Sequence, residues 1–114
     1  MAKAKYTGPA EKLALYEQLV ASVEGVERRG AANPYTSRNG YMTSFIDKAG
    51  EVSLRLSKAD QAEFIGTYDS RVPVQYGKNM PDFAVVPDAL LENLEEVRPW
   101  FVRSWDFVGT LEPK

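Results

Sequence analysis

The amino-acid sequence predicts an α+β fold, in which an antiparallel sheet, made of a hairpin and a further strand, is packed by three helices. These are an N-terminal helix, a short middle helix and a long C-terminal helix. One observation is the strict alternation of Val52, Leu54 and Leu56 with polar and charged residues directly after a turn, which is typical of a strand. The other is the three- and four-residue spacing of apolar residues in the segments on both sides. The 114 residues have room for one core, so we predict a single domain over residues 1–114, with residues 1–7 flexible.

The first helix is predicted to begin at Ala10, because Thr7-Gly8-Pro9 combines a capping residue with a proline that the first turn tolerates. Apolar residues then recur at helical spacing, namely Leu13, Tyr16, Val20 and Val23. This stripe predicts an amphipathic helix of roughly five turns. Gly30, which follows two arginines, is predicted to end the helix in the left-handed conformation.

A hairpin is predicted next, because Asn33-Pro34 breaks the helix and Tyr41–Ile46 is rich in residues that favour strands. Asn39-Gly40 predicts a bulge or a tight turn in front of that strand. Asp47–Gly50 has the form of a four-residue hairpin connection, and the alternating strand follows it. The alternation predicts one buried and one more solvated face of the sheet, with helices packed against only one side.

The second half of the chain begins with a short helix that Ser57 caps and that ends near Asp69. Residues 72–77 are predicted to form a loop, because they contain proline and glycine, and residues 82–86 are predicted to form a further strand. Pro87 then opens a single predicted helical turn.

The long last helix is predicted from the N-cap pair of Asn93 and Glu96 and from the apolar residues that follow. Pro99 predicts either a kink in this helix or a helix that begins only near Pro99. The helix carries more aromatic residues than one narrow stripe can hold, namely Trp100, Phe101, Trp105 and Phe107. Some of them must face a second surface, either in the same chain or in a partner such as a second copy in a homodimer.

The composition excludes several kinds of chemistry, because the chain has no cysteine and no histidine. Disulfides, thiol nucleophiles, histidine general bases and metals held by thiolate or imidazole are excluded, and we expect no cofactor. We also expect no metal site, since the spacing of the acidic residues between Asp82 and Glu96 matches no metal-binding loop. The formal net charge of −2 predicts no nucleic-acid partner. Short apolar runs and the lack of a signal peptide predict no membrane association and a cytoplasmic location.

Two segments resemble a known family over about two-thirds of the chain. The first runs from Asn39-Gly40-Tyr41-Met42 to Leu54-Arg55-Leu56, and the second is Met80-Pro81-Asp82-Phe83-Ala84-Val85-Val86-Pro87 with Leu90-Leu91, Leu94 and Trp100 behind it. Both are similar to the N-terminal domain of the TfoX/Sxy competence-regulator family. The resemblance implies an α+β domain like the YjbR and frataxin-type folds, with a bacterial cytoplasmic origin. It implies no catalytic motif.

The candidate binding residues are Tyr35, Arg38, Asn39 and Tyr41, which lie in the densest polar and aromatic stretch of the sequence. On a sheet edge such a segment would bind a peptide, a nucleotide or a small polar ligand. The alternative is a bulged edge strand whose polar side chains satisfy backbone groups locally.

Two further candidates have weaker support. Arg28-Arg29, with Lys3 and Lys5, would contact phosphates. Tyr76 and Lys78 would be the acid and the base of an enzyme, although no spacing singles out a catalytic residue. The sequence therefore predicts a non-catalytic protein-interaction or regulatory module. The alternative is a small-molecule or nucleotide-binding domain with weak enzymatic activity in the cleft between the sheet and the terminal helix.

Overall fold

The computed structural model describes residues 5–114, so Lys3 and the first part of the segment predicted to be flexible lie outside the described residues. The helices are α1 (Ala10–Ala21), α2 (Lys58–Tyr68), α3 (Asp88–Leu91) and α4 (Leu94–Gly109). The strands are β1 (Tyr35–Arg38), β2 (Tyr41–Ile46), β3 (Val52–Arg55), β4 (Val74–Gln75), β5 (Lys78–Asn79) and β6 (Phe83–Val86). The predicted α+β class, with its antiparallel sheet and long C-terminal helix, is confirmed.

The main sheet has four antiparallel strands in the order β1-β2-β3-β6. Strands β2 and β3 form the predicted hairpin around Asp47, whose carboxylate accepts hydrogen bonds from the N–H groups of Ala49 and Glu51. Strands β4 and β5 form a separate two-stranded hairpin. Its first strand and its turn lie in residues 72–77, which were predicted to be a loop, and β5 follows directly after them. This small hairpin shapes the candidate site.

The turn between β1 and β2 has the geometry that Asn39-Gly40 predicts. Both residues have positive φ, 57° at Asn39 and 83° at Gly40, as a tight two-residue hairpin turn requires. The register also shifts between Thr36 and Ser37, so a bulge lies close to the turn. The sequence left a bulge and a tight turn open as alternatives, and the structure contains both.

The large core cluster lies between the helices and the face of the sheet that they cover, which we call the helix face. Tyr16 on α1 shares a 2.7 Å hydrogen bond with Ser44 on β2, and Ser104 on α4 donates one to the carbonyl of Thr43. The apolar residues of this face and of the helices are almost fully buried, among them Leu19, Val52, Leu54, Phe64, Ala84, Val97 and Phe101. The tight packing of α4 against the sheet leaves core side chains where the sequence predicted a ligand cleft between the sheet and the terminal helix.

Helix α1 is shorter than predicted, because it ends at Ala21 rather than continuing to Gly30. The Ser22 hydroxyl donates a hydrogen bond to the carbonyl of Leu19, and this local bond competes with further helical turns. Gly25 then takes a φ of 87°, which ends the last turn. Gly30 does have positive φ, but it lies in an irregular connection beside the backbone bridge between Arg29 and Tyr35.

Helix α4 begins at Leu94, as the N-cap pair predicts, and of the two alternatives at Pro99 the later start is wrong. The Asn93 side chain accepts a hydrogen bond from the N–H of Glu96, as the predicted N-cap requires. The helix continues through Pro99, which lies on its exposed side. Pro99 cannot donate to the carbonyl of Glu95, but Glu95 is exposed in the first turn, where water can satisfy that carbonyl.

The face of the sheet opposite the helices, which we call the second face, is less solvated than predicted. Phe45 and Val85 are each 7% exposed and Ser53 is 1% exposed. Phe45 packs edge-on against Phe83 with ring centroids 5.3 Å apart. The face is therefore less solvated than the alternation with Ser53 and Arg55 predicted, because the segment containing β4 and β5 covers part of it.

Candidate ligand-binding groove

A groove with a volume of about 680 Å³ lies on the second face of the sheet, between the first two strands and the β4–β5 hairpin. Four strand residues line it, namely Tyr35, Met42, Phe45 and Ile46. The hairpin contributes Gln75, Tyr76, Lys78 and Asn79, and Met80 follows directly after it. The volume falls in the range of pockets that hold one small organic molecule. The aromatic and thioether side chains make its lining mainly apolar.

Asp47, at the β2–β3 turn, connects the sheet to the hairpin that forms the other wall. One carboxylate oxygen accepts the backbone N–H groups of Ala49 and Glu51, and the other accepts a 3.1 Å hydrogen bond from the Gln75 side chain. Arg71 also bonds to Glu51, close to the same turn. These contacts hold the hairpin across the second face and leave the groove open beneath it.

The tip of the hairpin presents an aromatic side chain to solvent. Tyr76 has a positive φ of 54° and is 90% exposed, and Gly77 beside it has a φ of 76°. Val74, on the same hairpin, is 52% exposed. Large apolar side chains are otherwise at least partly covered among the described residues, so the hairpin is the most apolar exposed element in that part of the chain.

The structure separates the four candidate binding residues into two places. Tyr35 lines the groove, and its backbone N–H and carbonyl bond to Arg29. Arg38, Asn39 and Tyr41 instead contact the C-terminal end of α4 and the residues after it. Arg38 donates to the carbonyl of Trp105 and lies over its ring, 5.1 Å from the centroid.

Asn39 and Tyr41 bond to the chain just beyond Trp105, the residue that Arg38 contacts. The Asn39 side chain donates to the carbonyls of Val108 and Leu111, and the Tyr41 hydroxyl donates to the carbonyl of Glu112. The carbonyls of Leu111 and Glu112 lie beyond the end of α4, where helical N–H donors are lacking, and the Val108 carbonyl also accepts the N–H of Leu111. Arg38, Asn39 and Tyr41 therefore bond to backbone carbonyls, as in the alternative interpretation of this stretch. That interpretation expected local backbone groups, whereas these carbonyls are distant in sequence.

We expect Arg38→Ala to lower the free energy of unfolding by about 2 kcal/mol, because it removes a charged hydrogen bond and the contact with Trp105. Urea denaturation followed by circular dichroism measures this loss. The control is Arg98→Ala, which removes an exposed arginine from α4, the helix that Arg38 contacts. It should change the free energy of unfolding by less than about 0.5 kcal/mol. Equal stability of Arg38→Ala and the unsubstituted protein would contradict an anchoring role.

The other sequence candidates have the following positions. Arg28 pairs with Glu17 at 2.7 Å and Arg29 lies 3.8 Å from Glu27, so both arginines have acidic neighbours that weaken an electrostatic site for phosphate. Tyr76 and Lys78 both line the groove, but their side chains are exposed to solvent.

The acidic residues near the last helix are dispersed over several contacts. Asp82 pairs with Arg55 and Asp88 pairs with Lys12. Glu96 accepts a hydrogen bond from the Tyr68 hydroxyl. Over residues 5–114, no group of three or more acidic side chains is placed to hold a metal ion.

The pKa values of three tyrosines are raised in the structure. Burial, and to a smaller extent the charge of Asp47, raises the pKa of Tyr6, which lies beside the β2–β3 turn. Burial also raises the pKa of Tyr68, and the hydrogen bond that this hydroxyl donates to Glu96 adds to the effect. Tyr16, in the core, has a pKa raised to about 12, with burial as the largest cause. These three groups lie outside the groove lining, and burial is the largest cause of each raised pKa.

Comparison of the chain with protein-family models, with curated proteins and with solved structures found no match. The helices of the described residues are all too short or too polar to cross a membrane. The chemical character of the groove is therefore the basis for a functional proposal.

Sequence reasoning missed most of the groove. The signal that could have found it is Phe45, which follows Ser44 in β2 and so points away from the helices. A phenylalanine in the middle of a face predicted to be solvated indicates that another segment covers that face. The sequence gives no comparable indication that Gln75 and Met80 line a groove. Their positions depend on a hairpin in a segment whose proline and glycine residues predicted a loop.

Proposed function

We propose that this protein is a non-catalytic binding domain that accepts an apolar group of a small molecule in the groove. The observation that carries the proposal is the groove itself, an apolar cavity of about 680 Å³ that lies between the second face and the β4–β5 hairpin. A preformed, mainly apolar cavity with a few polar groups at its edge is the usual form of a ligand site. The few polar side chains that line it are exposed or already hydrogen-bonded, which favours binding over reaction.

A second candidate function is recognition of a partner protein, in keeping with the resemblance to the TfoX/Sxy N-terminal domain and its regulatory role in the cytoplasm. The exposed side chains of Val74 and Tyr76 favour it, since tyrosine is enriched among the residues that dominate protein interfaces. Both side chains belong to the hairpin that forms one wall of the groove. A ligand under the hairpin would change the surface that it presents, which would connect ligand binding to regulation.

The first test is binding of 1-decanol, a neutral apolar probe, followed by amide shifts in two-dimensional NMR spectra. We expect saturable binding, with the largest shifts around Ala49 and Gly77, which lie at the edge of the groove and at the hairpin turn. Met42→Trp places a larger ring in the groove and should weaken decanol binding by about tenfold or more, a loss of about 1.4 kcal/mol.

The matched control is Ala62→Trp, which adds the same ring at an exposed position of α2. It should bind decanol as the unsubstituted protein does. Circular dichroism shows whether each variant is folded. A folded Met42→Trp variant with unchanged affinity, or decanol shifts confined to the helix face, would overturn the proposed site.

A further inference from the structure

We propose that the groove binds an amphipathic organic anion, with its apolar body on the second face and its anionic head beside Lys48 and Lys78. This inference rests on the proposed function, because it names the chemical class of ligand for the same groove. It adds the charge of the ligand and the end of the groove at which the head lies.

The charges around the groove support an anionic head. The charged residues of the lining are Asp47, Lys48 and Lys78, which give it a net charge of +1. The whole chain has a formal net charge of −2, so the groove differs in sign from the molecule around it. Among the residues that the structure describes, neither lysine lies within ion-pair distance of a carboxylate.

The segments that carry the two lysines are in contact with each other. Lys78 is the register partner of Gln75 across the β4–β5 hairpin, and the Gln75 side chain bonds to Asp47, the neighbour of Lys48. Asp47 is the acidic member of this cluster, and its two oxygens already accept three hydrogen bonds from Ala49, Glu51 and Gln75. Most of its acceptor positions are therefore engaged within the chain, whereas neither lysine has an ion-pair partner among the described residues.

The lining of the groove favours an apolar body over a nucleotide or sugar. Phe45, Met42, Met80 and Tyr35 supply mainly hydrocarbon and thioether surface, which offers few hydrogen bonds to a hydroxylated ligand. Phe45 is held in place by its edge-on contact with Phe83. A volume of about 680 Å³ suits one free organic molecule, so we assign the groove to a monomeric amphiphile rather than to the surface of a membrane.

The experiment compares three probes that share one alkyl chain, namely decanoate, 1-decanol and decyltrimethylammonium. Each is titrated below its critical micelle concentration and followed by calorimetry and amide shifts. We expect decanoate to bind about fivefold more tightly than decanol, and the cationic probe to bind most weakly. Added salt should reduce the advantage of decanoate over decanol, because exposed charges are screened.

The double variant Lys48→Gln/Lys78→Gln should bind decanoate about fivefold more weakly and should bind decanol with an affinity within about twofold of the original. Lys58→Gln/Arg98→Gln removes two exposed cations elsewhere and is the matched control, which should keep the preference for decanoate. Equal affinity for decanoate and decanol, or a preference for the cation, would overturn the anionic ligand and leave the apolar site standing. If no probe binds at the groove, the proposed function itself fails.

A further experiment distinguishes binding of a free amphiphile from binding of a lipid in a membrane. Sedimentation with vesicles of phosphatidylcholine and phosphatidylglycerol should leave the protein in the supernatant while decanoate binds. Binding to these vesicles without binding to decanoate would overturn the assignment to a free ligand.

Discussion

Phe64→Ala is expected to lower the free energy of unfolding by about 4 kcal/mol, the largest loss that we predict for a single substitution in this protein. Phe64 is the fully buried residue of α2, and its ring lies 5.1 Å from the ring of Trp100 and 4.9 Å from that of Tyr68. Truncation removes the ring contact of Phe64 with Trp100 on α4 and leaves a cavity in the core, although Tyr68 still contacts Trp100. Urea denaturation followed by circular dichroism measures the loss.

Val74→Ala is the control for this substitution, because it also truncates an apolar side chain but at a site that is 52% exposed. It should change the free energy of unfolding by less than about 0.5 kcal/mol. If Phe64→Ala cost no more than Val74→Ala, the packing of α2 on α4 would contribute little to stability. If Phe64→Ala does not fold at all, Phe64→Leu keeps most of the buried volume and should show a smaller loss in the same direction.

Alkaline pH is expected to destabilise the protein through Tyr16. Burial raises the pKa of this hydroxyl from 10.0 to about 12, and in the unfolded chain it returns to its ordinary value. Between these two pH values the unfolded state has released a proton that the folded state keeps, so stability falls as pH rises through this interval. The contribution of Tyr16 is fully present below about pH 10, and about 2 to 3 kcal/mol is lost by about pH 12.

The test is the free energy of unfolding at about pH 8 and about pH 11, in the unsubstituted protein and in Tyr16→Phe. At neutral pH the variant loses the hydrogen bond to Ser44, about 1 kcal/mol. Its further loss at about pH 11 should be smaller by about 1 kcal/mol, although Tyr6 and Tyr68, whose pKa values are also raised, still contribute. Tyr76→Phe, at a 90% exposed site, should leave the pH dependence unchanged. A steep alkaline loss that persists in Tyr16→Phe would contradict this explanation.

The parts of the fold that the sequence predicted well have local causes. Asn39-Gly40, Asp47–Gly50 and the cap at Ser57 each specify a turn or a helix start within a few residues, and all three occur where predicted. The predicted end of α1 was wrong. The apolar stripe continues past Ala21 into a segment that packs on the core but is not helical. Apolar spacing indicates which residues are buried, and in this segment it did not indicate the backbone conformation.

The candidate site was harder to predict because its parts come from distant segments. Tyr35 was identified for its position in a polar and aromatic stretch, and it does line the groove. Arg38 was chosen by the same reasoning, but the partner that defines its position, Trp105, is 67 residues away. The contact between Gln75 and Asp47 likewise depends on how the hairpin folds over the sheet, which a local pattern does not contain.

The surplus of aromatic residues on the last helix is largely accounted for within the chain. Trp100 packs on Phe64 and Tyr68, Phe101 is buried, and Trp105 lies under Arg38. These contacts supply the second surface that the sequence required. The homodimer stays a prediction, with the exposed hairpin residues Val74 and Tyr76 as another surface that a second copy would contact.

The positions of Trp100 and Trp105 also determine what the intrinsic fluorescence of this protein reports. Both tryptophans of the chain lie on α4, which packs on the face of the sheet opposite the groove. Their fluorescence should therefore follow unfolding and respond little when a ligand enters the groove. In Met42→Trp a third indole would lie inside the groove, so that one protein would carry an optical reporter on each side of its sheet. During one denaturation, emission from the third indole would then report exposure of the groove, and emission from α4 would report loss of the helix face.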